Sequence, residues 1–208
     1  MVIKLENINK NVLGKDKIIK EILKDLSFEF DNGLYVIKGD NGVGKTTLLY
    51  ILALLDTKFS GTYFFNEDNT HFFNRKYEEK AREKISLLFS KGNLLNHLTV
   101  KETRTKFLGK KKDVIDLGLN LPDDQLVLTL SGGEEILLAL EIDLSLNKEL
   151  FLLDEVTAML DEEHFKKVME VLSSISEKAT VILVSHDPRS FNYGKLLELK
   201  DGKLFESR

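Results

Sequence analysis

Residues 39–46 have the types and the spacing that phosphate binding requires. They fit the pattern G-x-x-x-x-G-K-[ST], in which glycines let backbone amides approach phosphate oxygens. Lys45 would place an ammonium beside the outer phosphates of a nucleotide, and Thr46 would offer a hydroxyl to Mg²⁺. A chance match has a probability on the order of one per cent in a chain of this length. The residues expected to bind the nucleotide are Gly39, Asp40, Asn41, Gly42, Val43, Gly44, Lys45, Thr46 and Thr47.

Two carboxylates follow a later apolar run. Residues 149–153 predict a buried parallel strand that ends at Asp154 and Glu155, and open α/β sheets bind ligands at that edge. We expect Asp154 and Thr46 to bind the magnesium ion. Glu155 would lie on the other face of the strand end, where it could orient or deprotonate an attacking water. The pattern is common by itself, but behind a phosphate-binding loop it becomes a strong prediction.

A histidine follows a third apolar run. Residues 180–184 predict a strand that leads into Ser185-His186-Asp187, where His186 could donate a hydrogen bond to the terminal phosphate or position water. The residues predicted to be catalytic are Lys45, Glu155 and His186. The remaining histidines, His71, His97 and His164, are expected to be surface or core residues.

A second segment indicates another anion site. In Leu130-Ser131-Gly132-Gly133-Glu134, Ser131 is placed to cap a helix whose first glycines expose backbone amides. It lies too far along the chain to be assumed part of the same nucleotide's cradle.

Strands and helices must position these residues. The apolar runs 34–37 and 47–55 predict a strand before the phosphate-binding loop and a helix after it. Segments 2–5, 26–30 and 61–65 predict an antiparallel β portion at the N-terminal end. We expect a single domain over 1–208, with a short helical subdomain inserted at about 93–128. Gly118 and Pro122 favour two short helices there, one of them around 114–117.

In this order, the segments resemble the ATP-binding cassette family over nearly the whole chain. Further similarity lies around Phe89, in Leu98 to Glu102, at Thr157 and in Leu160-Asp161. The resemblance implies an α/β fold of the P-loop NTPase class, with a mixed sheet core. It also implies that two cassettes stack head to tail, so that Ser131, Gly132 and Gly133 close on the ATP held by the partner.

The resemblance also implies an activity and partners. We expect an ATP hydrolase that uses Mg²⁺, forms a homodimer or a heterodimer with a second cassette, and powers a transmembrane permease. Segments 51–56, 60–62 and 89–100 are similar to the branch that exports lipoproteins, macrolides or peptides. The substrate, the direction of transport and the permease are left open by the sequence.

The chain departs from the family at several positions. Ser90 replaces a usual glutamine, and Val12 lies where an aromatic residue usually stacks on adenine. Tyr35 or an aromatic residue of a partner could replace that stack. Residues 135–141 are acidic where the family is basic, and Val156 and Ala158-Met159 also differ from it. The main catalytic residues remain, so we expect an active but divergent ATPase.

Composition limits the other functions. With 34 acidic and 30 basic residues the net charge is −4, which argues against a nucleic-acid partner. The basic run Lys110-Lys111-Lys112 is expected to be a solvated loop. No cysteine is present, so a disulfide is excluded.

The apolar stretches are too short to span a membrane. Lys4 and Glu6 carry charges where a signal peptide would need its apolar core. We therefore expect a cytoplasmic protein held at the inner face of the membrane by its permease, with another polypeptide forming the transport path. Two alternatives remain open. One is a soluble ATPase of the same superfamily, which usually has a long coiled coil or two cassettes. The other is a sensor or immunity module that nucleotide occupancy switches.

Overall fold

The structure is a computed structural model that describes residues 2–13, 19–66, 68–69, 75–91, 94–111 and 113–207. Its strands are β1 (Ile3–Leu13), β2 (Ile19–Phe30), β3 (Gly33–Lys38), β4 (Ser60–Phe65), β5 (Asp68–Asn69), β6 (Ile85–Phe89), β7 (Leu150–Asp154), β8 (Thr180–Val184), β9 (Lys195–Lys200) and β10 (Lys203–Glu206). Its α-helices are α1 (Lys45–Leu52), α2 (Arg75–Glu83), α3 (Val100–Leu108), α4 (Gly132–Leu144) and α5 (Glu162–Ser176). Short 3₁₀ helices cover Val127–Thr129 and Pro188–Asn192.

The strands form two sheets. The first has the order β2-β1-β4-β5 and is antiparallel, and the second has the order β10-β9-β3-β8-β7-β6. In the second sheet only β10 runs antiparallel to its neighbour, while the remaining pairs are parallel. The predicted α/β class, with a mixed core sheet and an N-terminal antiparallel portion, is therefore confirmed.

β1 and β2 are longer than the sequence predicted. They have 11 and 12 residues, and register shifts interrupt their pairing between Leu5 and Asn11. Asn7 and Asp25 have φ angles of 51° and 47°, and asparagine and aspartate tolerate this left-handed region better than most residues. These irregularities break the alternation of period two by which a strand is recognised in a sequence.

The apolar core covers both faces of the second sheet. The central strands β3, β7 and β8 are buried almost throughout, as expected of parallel strands that are covered on both sides. Helix α1 and the first sheet pack on one face, and α4 and α5 pack on the other. Because β3, β7 and β8 are parallel, the residues that follow them lie at one edge of the sheet.

The sequence predicted two short helices within 93–128. The described part of this segment, 94–111 and 113–128, contains one α-helix, so the prediction was wrong. Helix α3 begins at a capping box of Thr99 and Glu102, while no helix forms around 114–117. There, the Leu117 amide donates to Glu141 Oε1 of α4 at 3.2 Å and the Ile115 amide donates to Ser145 Oγ at 2.9 Å. Hydrogen bonds to α4 therefore take the place of helical ones. Asn93 and Lys112 lie outside the described residues.

A polar contact lies between β6 and α4. The Ser86 hydroxyl donates a hydrogen bond to Asp143 Oδ1, while Asp143 Oδ2 is buried and has no hydrogen-bond partner among the described residues. Burial raises the pKa of Asp143 to about 6, and the hydrogen bond from Ser86 and the charge of Lys148 only partly offset this effect. The folded chain therefore favours the protonated form of Asp143.

This preference predicts a dependence of stability on pH. The pKa of Asp143 is higher in the folded chain than in the unfolded one, so its contribution is complete below about pH 4 and is lost as the pH rises through about 6. Since a shift of one pKa unit equals about 1.4 kcal/mol, Asp143→Asn should be more stable than the wild type by up to about 3 kcal/mol at pH 7.5. At pH 4 the two should be about equal. Urea denaturation at both pH values measures this difference, and Asp113→Asn, at an exposed position, is the control. A difference that does not change with pH would contradict the prediction.

Candidate nucleotide-binding site

A cavity of about 330 Å³ lies at the edge of the sheet where β3, β7 and β8 end. It brings together residues that are up to 174 positions apart in the chain. The residues that line it are Val12, Ile22, Asn41, Gly42, Gly44, Lys45, Thr46, Thr47, Ser90, Asp154, Glu155 and His186. The structure thus places Asp154, Glu155 and His186, the predicted site residues outside the phosphate-binding loop, in the same cavity as the loop.

The backbone of the loop requires glycine at Gly44. This residue caps α1 with a φ angle of 113°, and a Cβ atom there would lie 2.5 Å from Ile22 Cγ2. An L side chain would meet both the strain of a left-handed conformation and this close contact. Helix α1 can therefore begin directly at Lys45, with its N-terminus facing the cavity.

The Lys45 side chain lies across the loop. Its residue is only 8% exposed, and Nζ donates hydrogen bonds to the carbonyl oxygens of Gly39 at 2.7 Å and Asp40 at 3.0 Å. Nζ also lies 2.9 Å from His186 Nε2. Burial lowers the pKa of Lys45, and the negative charges of Glu155, Asp154 and Asp40, which raise it, only partly offset this effect. The ammonium is thus held inside the loop by acceptors of the loop itself.

Thr46 and Asp154 meet at the other side of the cavity. Thr46 Oγ1 donates a hydrogen bond to Asp154 Oδ2 at 3.0 Å. Both are hard oxygen donors of the kind that Mg²⁺ prefers, and this ion usually takes one or two protein ligands with phosphate and water. The pair therefore fits a magnesium ion bound together with a nucleotide.

Glu155 and His186 contact each other. Glu155 Oε2 accepts a hydrogen bond from the His186 amide at 3.2 Å, and Oε1 lies 3.4 Å from His186 Nε2. Oε1 is buried and makes no hydrogen bond within the described part of the chain. A buried carboxylate oxygen without a donor can accept a proton or a hydrogen bond from a water molecule.

The β1–β2 hairpin contributes aliphatic side chains to the cavity wall. Val12 and Ile22 line the cavity from the two strands of this hairpin, and no phenylalanine, tyrosine or tryptophan is among the described lining residues. Tyr35 is 1% exposed in the core, beside the rings of Phe28 and Phe30, and cannot face a ligand there. Ile22 was not predicted to lie here, because its contact with the loop depends on how the hairpin folds over Gly44.

The second predicted anion site lies in a different cavity, of about 540 Å³. Ser131 caps α4, as predicted, and it also forms a capping box with Glu134. Ser131 and Gly133 line this cavity. A Cβ atom on Gly132 would lie 2.8 Å from the sulfur of Met159, so the absence of a side chain at Gly132 leaves room for this flexible side chain. No described residue lines both cavities.

The signature cavity, as we call the cavity around Ser131 and Gly133, includes His164, which was expected from the sequence to be a surface or core residue without a functional role. His164 lines it, with Nδ1 2.9 Å from Asp161 Oδ1, and Asp161 caps α5 by accepting from the His164 amide. Their spacing of three residues at a helix start could have indicated this pairing. His97, which was expected to be a surface or core residue, is exposed, and His71 lies outside the described residues.

Comparison with protein families identifies the fold. The family model described as "ABC transporter" matches residues 23–158, which cover more than half of the chain. The chain belongs to the ABC transporter family. The match includes the phosphate-binding loop, the segment from Ser131 to Gly133, and the pair Asp154 and Glu155.

Curated relatives agree with this assignment. The ABC chain is 37% identical to the macrolide export ATP-binding/permease protein MacB of Campylobacter jejuni, with 96% of this chain and 33% of the relative covered. It is 30% identical to the ABC transporter ATP-binding protein YxdL of Bacillus subtilis, with 98% and 85% covered. The chain thus spans about a third of the length of MacB and most of YxdL.

Solved structures of ATP-binding cassettes resemble this chain in fold. The structure resembles the dimeric ATP-binding cassette MJ0796 bound to ADP and Pi, with a TM-score of 0.83, 25% identity and 99% of each chain covered. It also resembles cbiO1 of Clostridium perfringens in fold, with a TM-score of 0.80. Within the described residues of this ABC chain, each helix is either too short or too polar to cross a membrane.

Proposed function

We propose that this ABC chain binds and hydrolyses ATP and thereby powers a membrane transporter. The observation that carries the proposal is that one cavity is lined by Lys45, Thr46, Asp154, Glu155 and His186. These residues lie at or after the ends of three separate strands, β3, β7 and β8. In phosphoryl transfer a protein acts mainly by positioning and by stabilising charge, and this cavity offers a cation, hydroxyl groups, a general base and backbone amides for those tasks.

Each side chain has a distinct role in this proposal. Lys45 leaves the carbonyl oxygens of Gly39 and Asp40 and pairs with the β- and γ-phosphates, which are stronger acceptors. Glu155 accepts a proton from the attacking water or orients it through the free Oε1. His186 donates to the γ-phosphate, and its present contact with Lys45 holds it close to that position.

Mg²⁺ is the expected cofactor. Thr46 and Asp154 would hold it, and the ion would neutralise charge that develops on the phosphate oxygens. The ATP-binding residues from Gly39 to Thr47 would contribute backbone amides around the phosphates.

The separation of the two cavities supports a dimer. Ser131 and Gly133 line a cavity separate from the phosphate-binding loop of their own chain, so in this proposal they contact, with Gly132, an ATP that another subunit presents. Two copies arranged head to tail would complete two such sites, and the related MJ0796 cassette was solved as a dimer. A second cassette of different sequence could take the same place.

An exporter is the transporter class that the relatives favour. Several MacB proteins, whose names include macrolide export and permease, are 30% or more identical to this chain. We propose that a transmembrane permease forms the path, that the chain works at the inner face of the membrane, and that the cargo is a peptide, a lipid-linked molecule or a drug-like molecule.

Steady-state ATP hydrolysis tests the proposal. We expect turnover by the purified chain that depends on Mg²⁺ and rises when the permease is present in lipid. Turnover without any response to the permease would favour a soluble ATPase. Nucleotide binding without turnover would favour the switch module, for which Ser90 is the supporting observation, because its short hydroxyl group reaches less far into the cavity than a glutamine.

Weak discrimination between nucleotide bases is expected from the aliphatic wall. Without an aromatic stack, worth about 0.5 to 1.5 kcal/mol, the Val12 and Ile22 side chains contact a base without reading its polar edge. The dissociation constants of ATP and GTP should therefore differ by less than about tenfold, or about 1.4 kcal/mol. Competition binding to the isolated chain measures the ratio.

A gain-of-function variant provides the matched test. Val12→Tyr should tighten the binding of ATP by adding a stacking ring, while Leu13→Tyr, at the neighbouring position that is 70% exposed and does not line the cavity, should have no effect. A wild-type preference for ATP above about tenfold would mean that a base-reading contact exists elsewhere.

A further inference from the structure

Two segments that leave the sheet side by side are linked to each other. The segment after β7, 155–161, contacts the segment after β8, 185–190. Glu155 Oε2 accepts from the His186 amide at 3.2 Å, and the buried hydroxyl groups of Thr157 and Ser185 lie 3.4 Å apart. These contacts join the segments near the sheet, where the nucleotide cavity lies.

Arg189 provides a third connection between them. Its Nε donates to both carboxylate oxygens of Asp187, at 3.1 and 2.9 Å, and its Nη2 donates to the carbonyl oxygen of Leu160 at 3.3 Å. Nη1 reaches Glu162 Oε2 at 3.2 Å. One guanidinium thus binds the segment after β8, the segment after β7 and the first residue of α5.

The surroundings of Arg189 hold it in one orientation. The guanidinium lies over the ring of Phe165, 4.2 Å from its centre, and Phe165 is a buried residue of α5. Burial opposes the ionisation of Asp187, but the hydrogen bonds from Arg189 outweigh it and the pKa of Asp187 is lowered. A flat, forked cation is needed for these simultaneous contacts, and a lysine cannot replace it.

The contacts of Arg189 reach both cavities. On one side, Asp187 directly follows His186, which lines the nucleotide cavity. On the other side, Leu160 and Asp161 line the signature cavity together with Ser131. The carbonyl oxygen that Arg189 binds therefore belongs to the wall of the cavity that faces a partner's nucleotide in the proposed dimer.

We propose that Arg189 is a positioning residue that fixes the Leu160-Asp161 segment relative to His186 and so couples the chain's own nucleotide cavity to its signature cavity. The coupling rests on the proposed function, but the positioning does not. When the His186 segment moves toward a bound phosphate, Arg189 transmits the displacement to Leu160. ATP binding at one site thereby shapes the surface that completes the other site.

Arg189→Gln is the main variant for the test. Hydrogen exchange, read by mass spectrometry on peptides from 157 to 163, should quicken by about tenfold or more, because the Leu160 segment loses its anchor, while exchange in β7 and β8 stays unchanged. The kcat for ATP should fall by about tenfold with little change in the affinity of the isolated chain for ATP, since the phosphate contacts are intact. Arg189→Lys should behave like Arg189→Gln, because charge without the fork is insufficient.

Lys166→Gln is the matched control. Lys166 Nζ lies 3.4 Å from the same Glu162 carboxylate, its side chain is 60% exposed, and the variant removes the same charge without touching Leu160. Its exchange and kcat should match the wild type. Unchanged exchange at 157–163 in Arg189→Gln, faster exchange throughout the chain, or a rise in KM alone would overturn the proposal. An inactive wild type would contradict the proposed function, while the exchange data would still test the positioning.

Discussion

Lys45→Ala is expected to abolish ATP turnover. Lys45 is the one side-chain cation among the described residues that line the nucleotide cavity, and its ammonium lies inside the loop within 3.0 Å of two loop carbonyls. Removing a preorganised charge that stabilises a phosphoryl transition state costs on the order of 10²- to 10³-fold in kcat. Measurement of phosphate release under saturating ATP and Mg²⁺ gives the result.

Lys38→Ala is the control for this variant. Lys38 ends β3, lies 3.9 Å from Glu198 in an ion pair and does not line the cavity, so its loss should leave turnover close to the wild type. Hydrolysis by Lys45→Ala within about twofold of the wild type would contradict the role proposed for the loop.

Glu155→Gln is expected to trap an ATP-bound dimer. The amide cannot accept a proton from water, so turnover should fall by about 10²-fold or more, while the amide oxygen can still accept the hydrogen bond from the His186 amide. ATP then remains between the loop of one subunit and Ser131, Gly132 and Gly133 of the other. Size-exclusion chromatography with ATP and Mg²⁺ should show a dimer that is absent without nucleotide.

The double variant Lys45→Ala/Glu155→Gln separates the causes of dimerisation. It should stay monomeric, because the loop no longer holds the phosphates that bridge the two subunits. If the natural partner is a second cassette, the dimer of Glu155→Gln should form with that cassette instead. A Glu155→Gln chain that remains monomeric with ATP, even beside its membrane partner, would count against the head-to-tail arrangement.

The sequence alone determined the fold class and the phosphate-binding loop. Both depend on short-range features: apolar runs of strand length, and glycines next to Lys45 and Thr46 at a strand-to-helix turn. The order of the Ser131 segment, the two carboxylates and His186 along the chain resembles one family, and this resemblance indicated the assignment. Contiguous residues carry this information, and so no three-dimensional structure was needed to find it.

Only the tertiary structure decided which residues from distant segments meet. Hydrogen bonds from the amides of Ile115 and Leu117 to the side chains of Ser145 and Glu141, respectively, excluded the predicted helix. The burial of Tyr35 excluded this residue as a stacking partner for the base. The contact of Ile22 with Gly44 and the reach of Arg189 to Leu160 depend on packing between separate elements. Such contacts leave no periodic pattern in a sequence, because their energy comes from burial and hydrogen bonding across the fold rather than from local preference.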